Sequence, residues 1–145
     1  MSMEADFCDY LLTKPVITNI IGTGDDAKLW PINLPETHSI NDGPAAVYEI
    51  ISSVDTHTLS DRSGFVRTRL QISTYATTHK ATMELARAIK NCGATQLKGV
   101  SGDTSFRSVE VESGIRCYNE QPIDGTDSWR YVAEFDFAIS YLEGT

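Results

Sequence analysis

Residues 63–94 read SGFVRTRLQISTYATTHKATMELARAIKNCGA. The first half changes character at every second position. Val66, Thr68, Leu70, Ile72, Thr74 and Ala76 fall on one side, and Phe65, Arg67, Arg69, Gln71, Ser73 and Tyr75 on the other. A period of two is that of a strand with one buried face. In the second half Leu85, Ala86, Ile89, Cys92 and Gly93 share one helical face and Arg87 and Lys90 the other, which predicts a helix from about Thr78 to Cys92. A half-polar strand feeding an amphipathic helix calls for a sheet with helices on one side. Neither segment carries a nucleophile, metal-ligand or phosphate-binding motif.

Upstream, the stretch AAVYEIISSVD reads as a strand with Tyr48, Ile50 and Val54 on one face. The turn-forming THTLSDRSG joins it to the 63–76 strand, so the two predict an antiparallel hairpin. Before that, LWPINLP is extended, but Pro31 and Pro35 restrict it to an edge strand. At the start, Ser2 is a candidate helix cap, with Glu4 and Asp6 in the first turn and Met3, Phe7, Tyr10 and Leu11 on one face. Lys14-Pro15 ends that helix and opens a short second one, PVITNII, which stops at Gly22. The segments GTGDDAK and ETHSINDGP read as loops.

Downstream, LKGVSGDTS reads as a loop, and FRSVEVESGIRCY as one alternating strand with Val109, Val111, Ile115 and Cys117 on one side. After an Asp-Gly turn region, WRYVAEFDFAISY puts Trp129, Tyr131, Phe135, Phe137, Ile139 and Tyr141 on one face and Arg130, Glu134, Asp136 and Ser140 on the other. Burying large side chains yields about 1.5–3 kcal/mol each. Ordering a strand costs about 1–2 kcal/mol per residue, so this strand needs a sheet beside it and helices over its apolar face. The expectation is an α+β fold: a single domain over residues 1–145, with one mostly antiparallel sheet of four to five strands and helices on one face.

Candidate chemistry is sparse. His38, His57 and His79 are scattered without partners at useful spacing. Asp25-Asp26 after Gly22-Thr23-Gly24 lacks the lysine and the preceding strand of a phosphate loop. Ser63-Gly64 opens a strand and is no nucleophile elbow. Glu110 and Glu112 share a strand face, which fits a solvated surface better than acid–base work. Cys8, Cys92 and Cys117 are far apart and odd in number, which disfavours a zinc site or a disulfide framework. The expectation is therefore no enzyme, no cofactor and no metal. No segment has the roughly 20 apolar residues of a membrane span, and the acidic opening MSMEAD is not a signal peptide.

The net charge of −8 is uneven. Residues 1–61 hold ten acids and two bases, a balance of −8, whereas residues 62–145 hold ten of each. That bias argues against nucleic-acid binding, which needs clustered Lys and Arg. The row Arg67, Arg69, Gln71 has two readings, a wet sheet surface or a subunit interface. In the second reading, the acidic first part of a neighbouring copy is the complementary surface, in a head-to-tail contact that closes into a ring.

In their order, the segments FCDYLLTKPVITNIIG, LWPINLP, PAAVYEIISS, SGFVRTRLQISTYATTHKATMELARAI, FRSVEVESGIRCY and WRYVAEFDFAISY span nearly the whole chain. Together they resemble the tail-terminator, or tail-completion, proteins of long-tailed bacteriophages and gene-transfer particles. The loops GTGDDAK and ETHSINDG depart from that pattern in length. The resemblance implies a non-enzymatic virion protein, made in the host cytoplasm. Its copies form a ring, typically a hexamer, at the head-proximal end of the tail tube. Its partners would be itself, the tail tube protein and a head–tail connector or neck protein, with genomic DNA passing through the lumen without specific binding and no membrane contact. Asp25, Asp26, Asp55 and Asp61 are then candidate lumen acids, Arg67, Arg69 and Gln71 candidate interface residues, and loops 55–64 and 119–128 candidate tube or neck contacts. The alternatives are another neck or head-completion protein of the same kind of particle, or a small ligand-binding α+β domain.

Overall fold

The computed structural model describes the backbone of residues 3–34, 43–57, 62–96, 99–101, 104–112, 114–120 and 130–142. Side chains are described over the same ranges except at 25, 54–57, 62–65, 94–96 and 99–101. Among the described residues, three helices, α1 (Met3–Leu11), α2 (Pro15–Ile21) and α3 (His79–Gln96), cover one face of a seven-stranded sheet. Its strands are β1 (Leu29–Pro31), β2 (Ala45–His57), β3 (Arg62–Ala76), β4 (Gly99–Ser101), β5 (Thr104–Val111), β6 (Arg116–Glu120) and β7 (Arg130–Leu142). The order across the sheet is β1-β2-β3-β7-β5-β4, with β6 also paired to β7.

The sheet is thus larger than the four to five strands expected, and β1 pairs with β2 in parallel while the other pairings are antiparallel. Two features account for the extra strands. The glycine-rich segment after α3, expected as loop, contributes β4, which pairs with the start of β5. The alternating run FRSVEVESGIRCY, expected as one strand, divides into β5 and β6 laid end to end along one edge of β7. Val111 sits opposite Phe137 and Arg116 opposite Glu134, so the four residues 112–115 face only residues 135 and 136. The surplus is an even number, so the alternation survives the break, and periodicity alone does not reveal it.

A bulge also corrects the reading of β2. Ile50 pairs with Leu70 and Ser52 with Arg69, so Ile51 is an extra residue. Beyond it the register parity flips: Ser52 is opposite Arg69 and Val54 opposite Arg67, so the single alternating face read for Tyr48, Ile50 and Val54 does not run through the strand.

Helix boundaries follow local chemistry. Pro15 occupies the first position of α2, and Gly22 ends it at φ 93°, a conformation disfavoured for residues with a Cβ. Thr78 accepts a hydrogen bond from the Ala81 backbone N–H (3.1 Å) at the start of α3. That helix runs four residues past the expected Cys92 end. Its Gly93 lies so close to the sheet that a Cβ there would meet Phe137 Cζ at 2.7 Å and Phe7 Cζ at 3.0 Å.

The core lies between the helices and the covered sheet face. Met3, Phe7 and Leu11 of α1, Ile17 and Ile21 of α2, and Leu85, Ala86, Ile89 and Cys92 of α3 pack on Leu70, Ile72, Phe106, Val109, Phe135, Phe137 and Ile139. Phe7 stands edge-on to Phe137, with centroids 5.2 Å apart, and Phe135 edge-on to Phe137 at 5.1 Å. Buried polar groups are tied in. Thr74 and Thr82 hydroxyls lie 2.9 Å apart, and Thr82 Oγ1 also donates to the Thr74 carbonyl at 2.9 Å, fastening α3 to β3. Asp6, expected to serve the α1 dipole, is buried and accepts a hydrogen bond from the Thr104 hydroxyl at 2.6 Å, fastening α1 to β5.

Candidate functional site

The helices leave the opposite face of the sheet uncovered, and the polar row singled out in the sequence lies on it. Arg67, Arg69, Gln71, Ser73 and Tyr75 alternate with Val66, Thr68, Leu70, Ile72, Thr74 and Ala76, which are buried under the helices. The structure brings Arg67, Arg69 and Gln71 into one row and gives each an acidic partner in the same chain. Arg69 contacts Asp136 through Nε (2.8 Å) and a terminal guanidinium nitrogen (2.6 Å). Gln71 Nε2 donates to Glu134 Oε2 at 2.9 Å, and Arg67 reaches Glu112 Oε2 at 3.4 Å.

The register explains these pairs. Gln71 is directly opposite Asp136 and Ser73 directly opposite Glu134, so Arg69 and Gln71 each reach one step diagonally to the carboxylate two residues along β7. The row continues to β6, where the Glu120 carboxylate accepts from Arg130 Nε at 2.5 Å. The Arg130 guanidinium lies 5.1 Å from the Tyr75 ring centre. Asp136 is the anchor: its side chain is only 6% exposed, and its Oδ1 has no hydrogen-bond partner among the described residues. The Arg69 side chain against it shields a carboxylate that β7 places at the middle of the sheet.

Electrostatics reinforce the row. Burial, then the Glu134 and Glu120 carboxylates, push the Tyr118 hydroxyl up to about 12, and its hydrogen bond to Glu134 acts in the same direction. Tyr75 is raised by burial first and then by Glu120, with Arg130 opposing. On the covered side, burial followed by Asp9 and Glu4 raises the Cys8 thiol well above its ordinary value, which makes it a poor nucleophile. Among the described residues no three His, Cys, Asp or Glu side chains group as metal ligands, and no helix is long and apolar enough to cross a membrane.

The other candidate residues are not gathered with this row. Asp25 and Asp26 lie in a 3-10 turn, Gly24–Asp26, after α2, and Asp26 is exposed. Asp55 lies on β2, in register with Val66. Asp61 is outside the described residues, as are 58–60 of the first candidate loop and 121–128 of the second, whereas 119 and 120 belong to β6.

Sequence reading missed two features. The sheet has two open edges. β1 covers β2 only at residues 46–48, so β2 from 49 to 57 has no outer strand partner among the described residues. On the far side, β4 covers β5 only at 104–106, so the rest of β5 and β6 likewise have no outer strand partner among the described residues. The second feature is Ile32, which follows the short β1 at φ 69°, a strained value for a β-branched residue, and is 62% exposed. Its N–H donates to the Tyr48 carbonyl at 2.8 Å, which holds the strained residue at the β2 edge.

No family model and no curated protein matches the chain. Among solved structures, it is similar to a chain from the virion of a native gene transfer agent particle, with a TM-score of 0.56 and 13% sequence identity over 97% of this chain and 95% of that one. At that identity the likeness is one of fold, and it runs essentially end to end.

Proposed function

We propose that the protein is a structural component of a phage-like particle that forms a ring on the head-proximal end of the tail tube, ends tube polymerisation and joins tail to neck. The observation that carries this reading is the whole-length fold likeness to a chain of a gene transfer agent virion. The molecule suits such a role. A helix-backed sheet carries a polar face whose Arg67, Arg69 and Gln71 row is matched within the chain, while the sheet edges at β2 and β6 have no outer strand partner among the described residues. The work is done by surfaces, and no bond is made or broken.

In this reading part of the acidic first 61 residues, with Asp25, Asp26, Asp55 and Asp61 as the candidates, lines the lumen and keeps passing DNA from adhering. Repulsion of like charges acts within a Debye length of about 10 Å. Particle images with Asp26 on the outer rim would rule out that assignment.

The test of the main reading is to add the purified protein to self-assembling tail tubes from the same particle. A terminator shortens the tubes in proportion to its concentration and appears as one terminal ring. Tubes of unchanged length with the protein retained at the head side would identify another neck component. Tubes of unchanged length with no bound protein would end the virion-neck reading altogether.

A further inference from the structure

We infer that copies of this chain join head to tail by antiparallel pairing of the open β2 edge of one copy with the open β6 edge of the next. The inference rests on the ring reading above and specifies the contact that builds the ring. Four observations converge on it. Each end of the sheet leaves one strand edge without an outer partner among the described residues, β2 from residue 49 onward on one side and β6 on the other. An open edge is a row of unmet backbone donors and acceptors that invites another strand.

The exposed apolar side chains mark the same edges. Of the five large ones among the described residues, Ile32, Ile50 and Ile51 stand at the β2 edge and Tyr118 on β6. Ile50 is 42%, Ile51 48% and Tyr118 45% exposed. The edges also differ in charge. Glu49 and Arg116 are both exposed and both on the uncovered face, since their register partners are Gln71 and Glu134 of the polar row. Joining the edges brings opposite charges onto one face of the continued sheet.

Finally, strand directions alternate from β2 through β3 and β7 to β6. A neighbour related by rotation about an axis that runs along the strands therefore presents its β2 antiparallel to β6, and the alternation continues unbroken. Because the two edges are different surfaces, the contact is heterologous: it propagates, and it closes into a ring when the rotation allows. The charged row Arg67, Arg69, Gln71 then remains on a ring surface, matched by its own acids.

A thiol trap tests the contact. Cys117 lies on β6 opposite Ala133, and Ile50 on β2 opposite Leu70, both on the helix side of the sheet. The purified Ile50→Cys chain, concentrated and treated with a short bismaleimide, is expected to give a ladder of dimers, trimers and higher species that stops at the ring size. The Ile50→Cys/Cys117→Ser chain is expected to lose the ladder. Cross-links that stop at dimers would mean like edges pair. Accessible thiols with no cross-links at any concentration would mean that the edges do not join copies. Either result overturns the inference and leaves the tube-length test of the ring role standing on its own.

A second measurement does not depend on the new cysteine. By sedimentation equilibrium, Glu49→Arg is expected to weaken self-association about fivefold, and Glu49→Arg/Arg116→Glu to regain it, in line with exposed cross-strand pairs. An unchanged association constant in the single variant, or no recovery in the double one, counts against the pairing.

Discussion

At Gly93 a single hydrogen atom in place of a side chain decides how closely α3 approaches the sheet. Alanine is the better helix former by about 1 kcal/mol, so in an exposed helix Gly93→Ala would stabilise. Here the new methyl meets Phe137 Cζ at 2.7 Å, and the Phe137 ring is itself wedged against Phe7 and Phe135. Overpacking of this kind costs about 1–3 kcal/mol. Gly93→Ala should therefore lower stability in urea unfolding, and Phe137→Leu in the same chain should recover part of the loss. Sequence placed Gly93 correctly on the buried helical face, but a glycine on that face reads equally as a helix end. The ring that forbids a Cβ comes from a strand more than forty residues away.

At the scale of the element, the β3–β7 pair shows how a sheet face is matched in charge. Asp136 is nearly buried on the face opposite the helices, and Arg69 is its partner. Removing the cation strands the carboxylate, whereas removing both charges does not. Arg69→Met should destabilise the fold by about 1.5–3 kcal/mol, the range for a hydrogen bond to a charged group. Arg69→Met/Asp136→Leu should cost clearly less than that, measured by the same urea titration. The alternation of β3 and of β7 was legible in the sequence, and so was the fact that Arg and Gln face one way on one strand and Glu and Asp on the other. That β3 and β7 are neighbours, in a register that makes the diagonal pairs meet, required the fold.

Tyr118 contributes an alkaline pH dependence to the same face. Its hydroxyl holds its proton up to about 12 in the folded chain, against an ordinary 10.0, through burial and then the nearby Glu134 and Glu120. Between those values the folded state binds more protons than the unfolded chain, so stability falls as pH rises. Below pH 10 this contribution is fully present. Thermal unfolding at closely spaced alkaline pH values should show the decline, and Tyr118→Phe should flatten it. The ultraviolet phenolate titration of the folded protein should lose its latest-ionising component in the same variant.

Across the whole molecule, one core joins all three helices to the sheet. Phe7 of α1 touches Phe106 of β5 and Phe137 of β7, with centroids 6.2 and 5.2 Å apart. Truncating a buried Phe costs about 3–5 kcal/mol. Phe7→Ala should lower stability by that amount in one cooperative transition, with near- and far-ultraviolet circular dichroism changing together. Separate transitions would mean that α1 docks as an independent unit.

The sequence by itself determined the period of each long element, the proline and glycine positions that begin and end α2, the charged row of β3 and the aromatic row of β7. These follow from residue spacing and local backbone preference, which act within one segment. Tertiary structure decided how many strands the sheet has, where β2 bulges, how β5 and β6 divide along β7, and which edges remain open. Those depend on contacts between segments far apart in the chain, and on a surplus of residues in one strand that is visible only when its partner lies beside it.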